Sequence, residues 1–151
     1  MCDYSLRSVA SRPAKVDDHL VVTTFPNCFT RGFAAADDPD VAICLVPGTE
    51  VAFAKEAEVD RLFWFLPHRR LGSSVARFCR VNEHVASVHH DALEFPSGEK
   101  VLITQLSEGQ RAVVLQLPAN AHPARPKTAE PTLLEPGARL PADDRDMAAW
   151  L

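Results

Sequence analysis

The stretch Leu93-Glu94-Phe95-Pro96-Ser97-Gly98-Glu99-Lys100-Val101-Leu102-Ile103-Thr104-Gln105-Leu106 decides the fold class. Leu93–Phe95 and Lys100–Leu106 are short runs on either side of the link Pro96-Ser97-Gly98, and a glycine in so short a link supplies the positive φ that hairpin turns require. The segment reads as a β-hairpin. Ala112–Leu117 follows as a further strand, after a turn at Glu108-Gly109.

Toward the N-terminus the same punctuation recurs back to about Ser5. Leu20–Phe25 holds two valines and two threonines, whose branched β-carbons suit a pleated surface, and it predicts a strand. Val41–Val46 and Thr49–Phe53 flank Pro47-Gly48 and predict a second hairpin. One segment departs from the rhythm. Val59, Leu62, Phe63 and Leu66 recur at i, i+3, i+4 and i+7, which predicts a short helix ending before Pro67. Val81, Val85, Val88 and Ala92 keep helical spacing too, but the flanking runs look extended, and the reading of Asn82–Asp91 stays open. The expected fold is mainly β: a small antiparallel β-barrel or sandwich with one or two short helices.

After Leu117 the texture changes. Pro118, Pro123, Pro126, Pro131, Pro136 and Pro141 each remove a backbone donor and bar regular ladders. The chain therefore divides into a β-rich globular domain over residues 1–118 and a proline-rich tail over residues 119–151, extended or disordered. The tail closes on Met147-Ala148-Ala149-Trp150-Leu151, apolar enough to dock on its own domain or on a partner.

Composition bounds the function. With 151 residues, 46% of them apolar and 24% charged, the chain is long enough to bury a core without staples. A formal charge of −4 argues against extended nucleic-acid binding, which needs a broad excess of Lys and Arg. No apolar run approaches the roughly 20 residues of a membrane-spanning helix, and the N-terminus lacks a signal-peptide pattern, so a cytoplasmic location is expected. Cys2, Cys28, Cys44 and Cys79 form no C-x-x-C pair, and in that compartment they are expected as reduced thiols. Cys44, in an apolar run, reads as a small core residue.

Three groups of residues are candidate sites. Cys79, His84, His89 and His90, with Asp91 and Glu94 close by, are ligand types that zinc, copper or iron prefer, although their spacing matches no established metal signature. On a strand His89 and Asp91 share a face, whereas on a helix His90 and Glu94 do. The plainer reading is a polar surface with hydrogen-bonded histidines. Cys2 becomes the N-terminal residue if Met1 is removed, and its α-amine can then act as base for its own thiol, as in N-terminal nucleophile enzymes. The third group lies in Arg61-Leu62-Phe63-Trp64-Phe65-Leu66-Pro67-His68-Arg69-Arg70. There Phe63, Trp64, Phe65, Arg69 and Arg70, with Trp150 of the tail, are candidates for binding a partner protein or sitting at a membrane surface. The leading reading packs Leu62, Phe63 and Leu66 into the core; the exposed alternative makes the patch a binding site.

Met1-Cys2-Asp3-Tyr4-Ser5-Leu6, Ser11-Arg12-Pro13-Ala14-Lys15-Val16, Thr30-Arg31-Gly32-Phe33-Ala34, Pro47-Gly48-Thr49-Glu50, His89-His90-Asp91-Ala92-Leu93-Glu94-Phe95-Pro96 and Glu108-Gly109-Gln110-Arg111 together resemble a family of uncharacterised bacterial proteins. The resemblance covers most of residues 1–118. It implies a bacterial origin and carries no activity.

Phosphate loops, nucleophile elbows, dinucleotide fingerprints and H-E-x-x-H are all missing from the sequence. The expectation is therefore a cytoplasmic, non-enzymatic binding module for a partner protein or small ligand, with the tail as tether or docking peptide and homo-oligomerisation open. The alternatives are a transition-metal protein using the Cys/His cluster and a thiol enzyme using Cys2.

Overall fold

Strand β11 (Arg111–Gln116) lies in the middle of a nine-stranded sheet, between β2 (His19–Phe25) and β5 (Glu50–Phe53), in the computed structural model, which describes residues 8–121 apart from residue 64. Beyond β2 come β3 (Thr30–Ala35), β4 (Val41–Cys44) and β1 (Ala10–Pro13). Beyond β5 come β8 (Val75–Arg80), β9 (Asp91–Glu94) and β10 (Lys100–Leu102). A separate ribbon pairs β6 (Glu58–Val59) with β7 (Arg69–Arg70), and one 3₁₀ turn spans Ile103–Gln105.

Side chains alternate as a half-buried strand demands. Leu20 and Val22 of β2, Val51 and Phe53 of β5, Ala76 and Phe78 of β8, and Ala112 and Val114 of β11 all point into one core. The sheet coils until its two ends approach: Phe33 and Ile43 from β3 and β4 line a crevice with Phe78 and Ile103 from the other end. Val9, Phe25, Ala34 and Ala42 form a second, smaller cluster, so β3 is buried almost throughout and carries Gly32, Ala34 and Ala35 where bulk would not fit.

The mainly β expectation holds, with four corrections. The sheet is coiled but not closed as a barrel, since β1 and β10 each pair on one side only. It is mixed rather than purely antiparallel, because β1 runs parallel to β4, from Ala10↔Val41 to Pro13↔Cys44. The turn at Pro47-Gly48 exists, with Thr49 N–H donating to the Val46 carbonyl at 3.0 Å, yet it joins no hairpin. Gly48 N–H donates instead to the Phe78 carbonyl at 2.8 Å, which sends the chain to β8 rather than back along β4. Finally, the helix expected over Val59–Leu66 is absent. Val59 is buried in β6 and bridged to Leu106, while Leu62, Phe63 and Leu66 are not packed into the core. A helix this short needs such packing to persist, and Pro67 disfavours the helical conformation at Leu66.

The hairpin of β9 and β10 is the one expected, with Val101 opposite Leu93 and Gly98 at φ 84°, although its second strand yields to the 3₁₀ turn after Leu102. Asn82–His90 forms turns rather than helix or strand. Cys44 is half-buried and disulfide-bonded, against the expectation of a core thiol, while Cys28 and Cys79 are free thiols. No helix among the described residues is long and apolar enough to cross a membrane. The expected tail from residue 122 onward lies outside the described residues.

Candidate functional site

The β6–β7 ribbon carries the loop that the sequence singles out, and its base is densely bonded. Asp60 N–H donates to the Gln105 carbonyl at 2.9 Å and Ser107 N–H to the Glu58 carbonyl at 3.0 Å. The Gln110 side chain accepts from Glu58 N–H at 2.8 Å and donates to the carbonyls of Glu58 and Ser107 at 2.7 and 2.9 Å. Glu108, next to Gly109 in its positive-φ turn, accepts from Thr24 N–H at 2.9 Å. The turn Glu108-Gly109-Gln110 is thus a clamp between β2, β6 and β11.

From this base the loop projects into water. Leu62 is 93% exposed, Phe65 67%, Phe63 53% and Leu66 37%. The rings of Phe63 and Phe65 stack at 5.6 Å between centroids, and Leu66 N–H closes a turn onto the Phe63 carbonyl at 3.0 Å. The core-packed reading of this segment is therefore overturned. Its apolar side chains form a ridge, and burying one of them in a partner is worth about 1.5–3 kcal/mol.

Charged groups surround the foot of the ridge. Arg31 donates through Nη1 to Asp60 and to the Leu106 carbonyl, tying the loop to β3. Burial pushes the Asp60 carboxyl up, but hydrogen bonds from Arg31 and Ser107 and the charges of Arg31 and His68 hold it below the usual carboxylate range. Arg69 pairs with Glu99 and Arg70 with Glu58, while both guanidinium groups stay largely exposed. The side chain of Arg61, just before the ridge, is exposed and makes no ion pair among the described residues.

Asp60, His68 and Ser107 have the composition of a hydrolytic triad but not its geometry. His68 Nδ1 lies 2.9 Å from Ser107 Oγ and 3.2 Å from Asp60 Oδ1, so one ring nitrogen faces both groups. A relay needs the acid on one nitrogen and the nucleophile on the other. Here Asp60 and Ser107 fix the ring. His68 and Ser107 also form one end of an open cleft of about 990 Å³, lined further by Lys55, Glu58, Arg70 and Arg111.

The proposed metal ligands do not converge. No three His, Cys, Asp or Glu groups among the described residues could hold a metal ion. His90 Nδ1 donates to the Val81 carbonyl at 3.0 Å, and His84 is exposed in the turn after Asn82. Cys79 sits in β8 opposite Ala92, where burial pushes its thiol above the usual range. His89 and Asp91 line one crevice together with Arg31, although His89 precedes the strand that holds Asp91. Cys2, Trp64 and Trp150 lie outside the described residues.

Of the partner-binding set, Phe63, Phe65, Arg69 and Arg70 are brought together around one loop. Asp60, Ser107 and Gln110 had no local signal, because their partners lie far along the chain. Comparison of the chain with family models, with curated proteins and with solved structures finds no match.

Proposed function

We propose that the protein is a non-enzymatic binding module and that the loop from Asp60 to His68 is its binding surface. One observation supports this above the others: the large apolar side chains of Leu62, Phe63 and Phe65 stand in water on a tightly hydrogen-bonded base. Large contiguous apolar patches are uncommon on soluble proteins and commonly mark interaction sites. A loop there only to complete the fold would turn these side chains inward.

In this reading the proline-rich tail serves as tether or docking peptide, with Trp150 as its apolar contact; its proline content supports an extended form. The cytoplasm is the proposed location. A persistent disulfide at Cys44 would be unusual there, so counting free thiols in rapidly alkylated cell extracts tests it.

The test of the binding surface is the double substitution Leu62→Ser, Phe65→Ser. A binding loop leaves unfolding stability within about 0.5 kcal/mol of the parent, as for surface sites generally. Destabilisation by several kcal/mol would place both side chains in the core and end the proposal.

A further inference from the structure

We infer that the ridge from Leu62 to Leu66 inserts into the interfacial region of a lipid bilayer; this rests on the loop being the binding surface, and names its partner. Three features of the loop select a bilayer over a protein pocket.

The first is exposure and aromatic content. Leu62 and Phe65 are 93% and 67% exposed, with the stacked ring of Phe63 beside them. A lipid interface takes up such side chains without needing a matching pocket, and aromatic rings favour that depth.

The second is the placing of charge. The run Leu62-Phe63-Trp64-Phe65-Leu66 contains no charged residue, and Arg61 stands at one end with Arg69 and Arg70 just beyond the other. Guanidinium groups at the foot of an apolar ridge lie level with lipid phosphates when the ridge is buried, and their stems tolerate that boundary. Arg69 and Arg70 are partly balanced by Glu99 and Glu58, and Arg31 by Asp60, which leaves Arg61 as the unbalanced cation. Apolar insertion therefore dominates, and anionic lipid adds a modest increment.

The third is the backbone. Irregular chain is costly in hydrocarbon because its polar groups lose water. The bond from Leu66 N–H to the Phe63 carbonyl satisfies one such pair within the ridge, and the base from Glu58 to Asp60 is bonded to Gln105, Ser107 and Gln110. The geometry suits shallow insertion, with the side chains in the acyl boundary and the base in the headgroups.

The experiment is co-sedimentation of the full chain with phosphatidylcholine vesicles, with and without phosphatidylglycerol. The parent is expected to sediment with both, and the anionic lipid to strengthen partitioning by about fivefold, the effect of one cation near the surface. Leu62→Ser, Phe65→Ser is expected to lose roughly tenfold or more in partitioning. Phe29→Ser is the control, because Phe29 is 86% exposed but belongs to the β2–β3 turn and not to the Leu62–Leu66 run, and it should sediment like the parent. Failure of the parent to sediment with either vesicle overturns the inference. If the double variant nevertheless keeps its stability, the loop remains a binding surface with another partner, such as a second copy of the chain. Equal loss in the Phe29→Ser control also overturns it, since the ridge would then not be the contact.

Discussion

Gln110 holds Glu58 by both of its backbone polar groups, accepting from the N–H at 2.8 Å and donating to the carbonyl at 2.7 Å. A side-chain amide thereby takes the place of a neighbouring strand for β6. Gln110→Glu supplies a second acceptor where a donor is needed, facing the carbonyls of Glu58 and Ser107. It should cost about 1–3 kcal/mol of stability, the range for stranding buried polar groups. Hydrogen exchange should show the loss first at residues 58–60, and unchanged protection there would sink the idea that Gln110 secures the ribbon.

Asp18 is chelated by Arg12, through contacts of 2.7 and 3.0 Å, and accepts from Lys15 N–H at 2.7 Å. Burial raises its carboxyl, but these hydrogen bonds and the charges of Arg12 and Lys15 bring it below its ordinary value. A depressed carboxylate contributes stability above its unfolded pKa of about 3.9 and loses it as pH falls through the lower folded value. Asp18→Asn should thus be less stable than the parent at pH 7 by about 1–2 kcal/mol, with the gap closing under acid. Thermal unfolding at a series of pH values checks this; a gap that widened below pH 4 would contradict it.

Gly48 and Gly98 make a matched pair for backbone strain. Both adopt positive φ, 96° and 84°, but an added Cβ at Gly98 meets open space whereas one at Gly48 comes within 3.2 Å of Pro118 Cβ. Gly98→Ala should cost about 1 kcal/mol, from conformation alone. Gly48→Ala should cost more, because Pro118 must also move. Urea midpoints on the two variants decide the order.

Cys79 should alkylate slowly. Its thiol is raised chiefly by burial, and the thiolate is the reacting species. At mildly alkaline pH its rate with iodoacetamide should fall several-fold below that of a small-molecule thiol. A rate equal to the free thiol would show that β8 opens readily at this position.

Features set by neighbouring residues were legible in the sequence. Gly98 announces its hairpin because turn chemistry and strand register are both local there, and Leu20–Phe25 announces β2 through its branched side chains. The Pro47-Gly48 turn was equally visible, but which strand it serves depends on Phe78, thirty residues away, so a correct turn gave a wrong hairpin. Val59 to Leu66 show the opposite failure, since helical spacing states only which side chains could share a face and not whether anything meets that face. The aromatic patch was visible as composition, and its exposure was not. Arg31 and Gln110 were quoted only as parts of a resemblance; their partners Asp60 and Glu58 are brought to them by the coiling of the sheet.

The position of β11 bears on how the protein is made. It is the last strand of the described chain and the one at the centre, so until it has been synthesised β1–β4 and β5–β10 can form only separate half-sheets. Each half then exposes a bare inner edge, β2 on one and β5 on the other, with donors and acceptors open to any extended chain nearby. The nascent protein is most vulnerable to mispairing just before translation reaches Arg111, and a chaperone that shields strand edges would act in that interval.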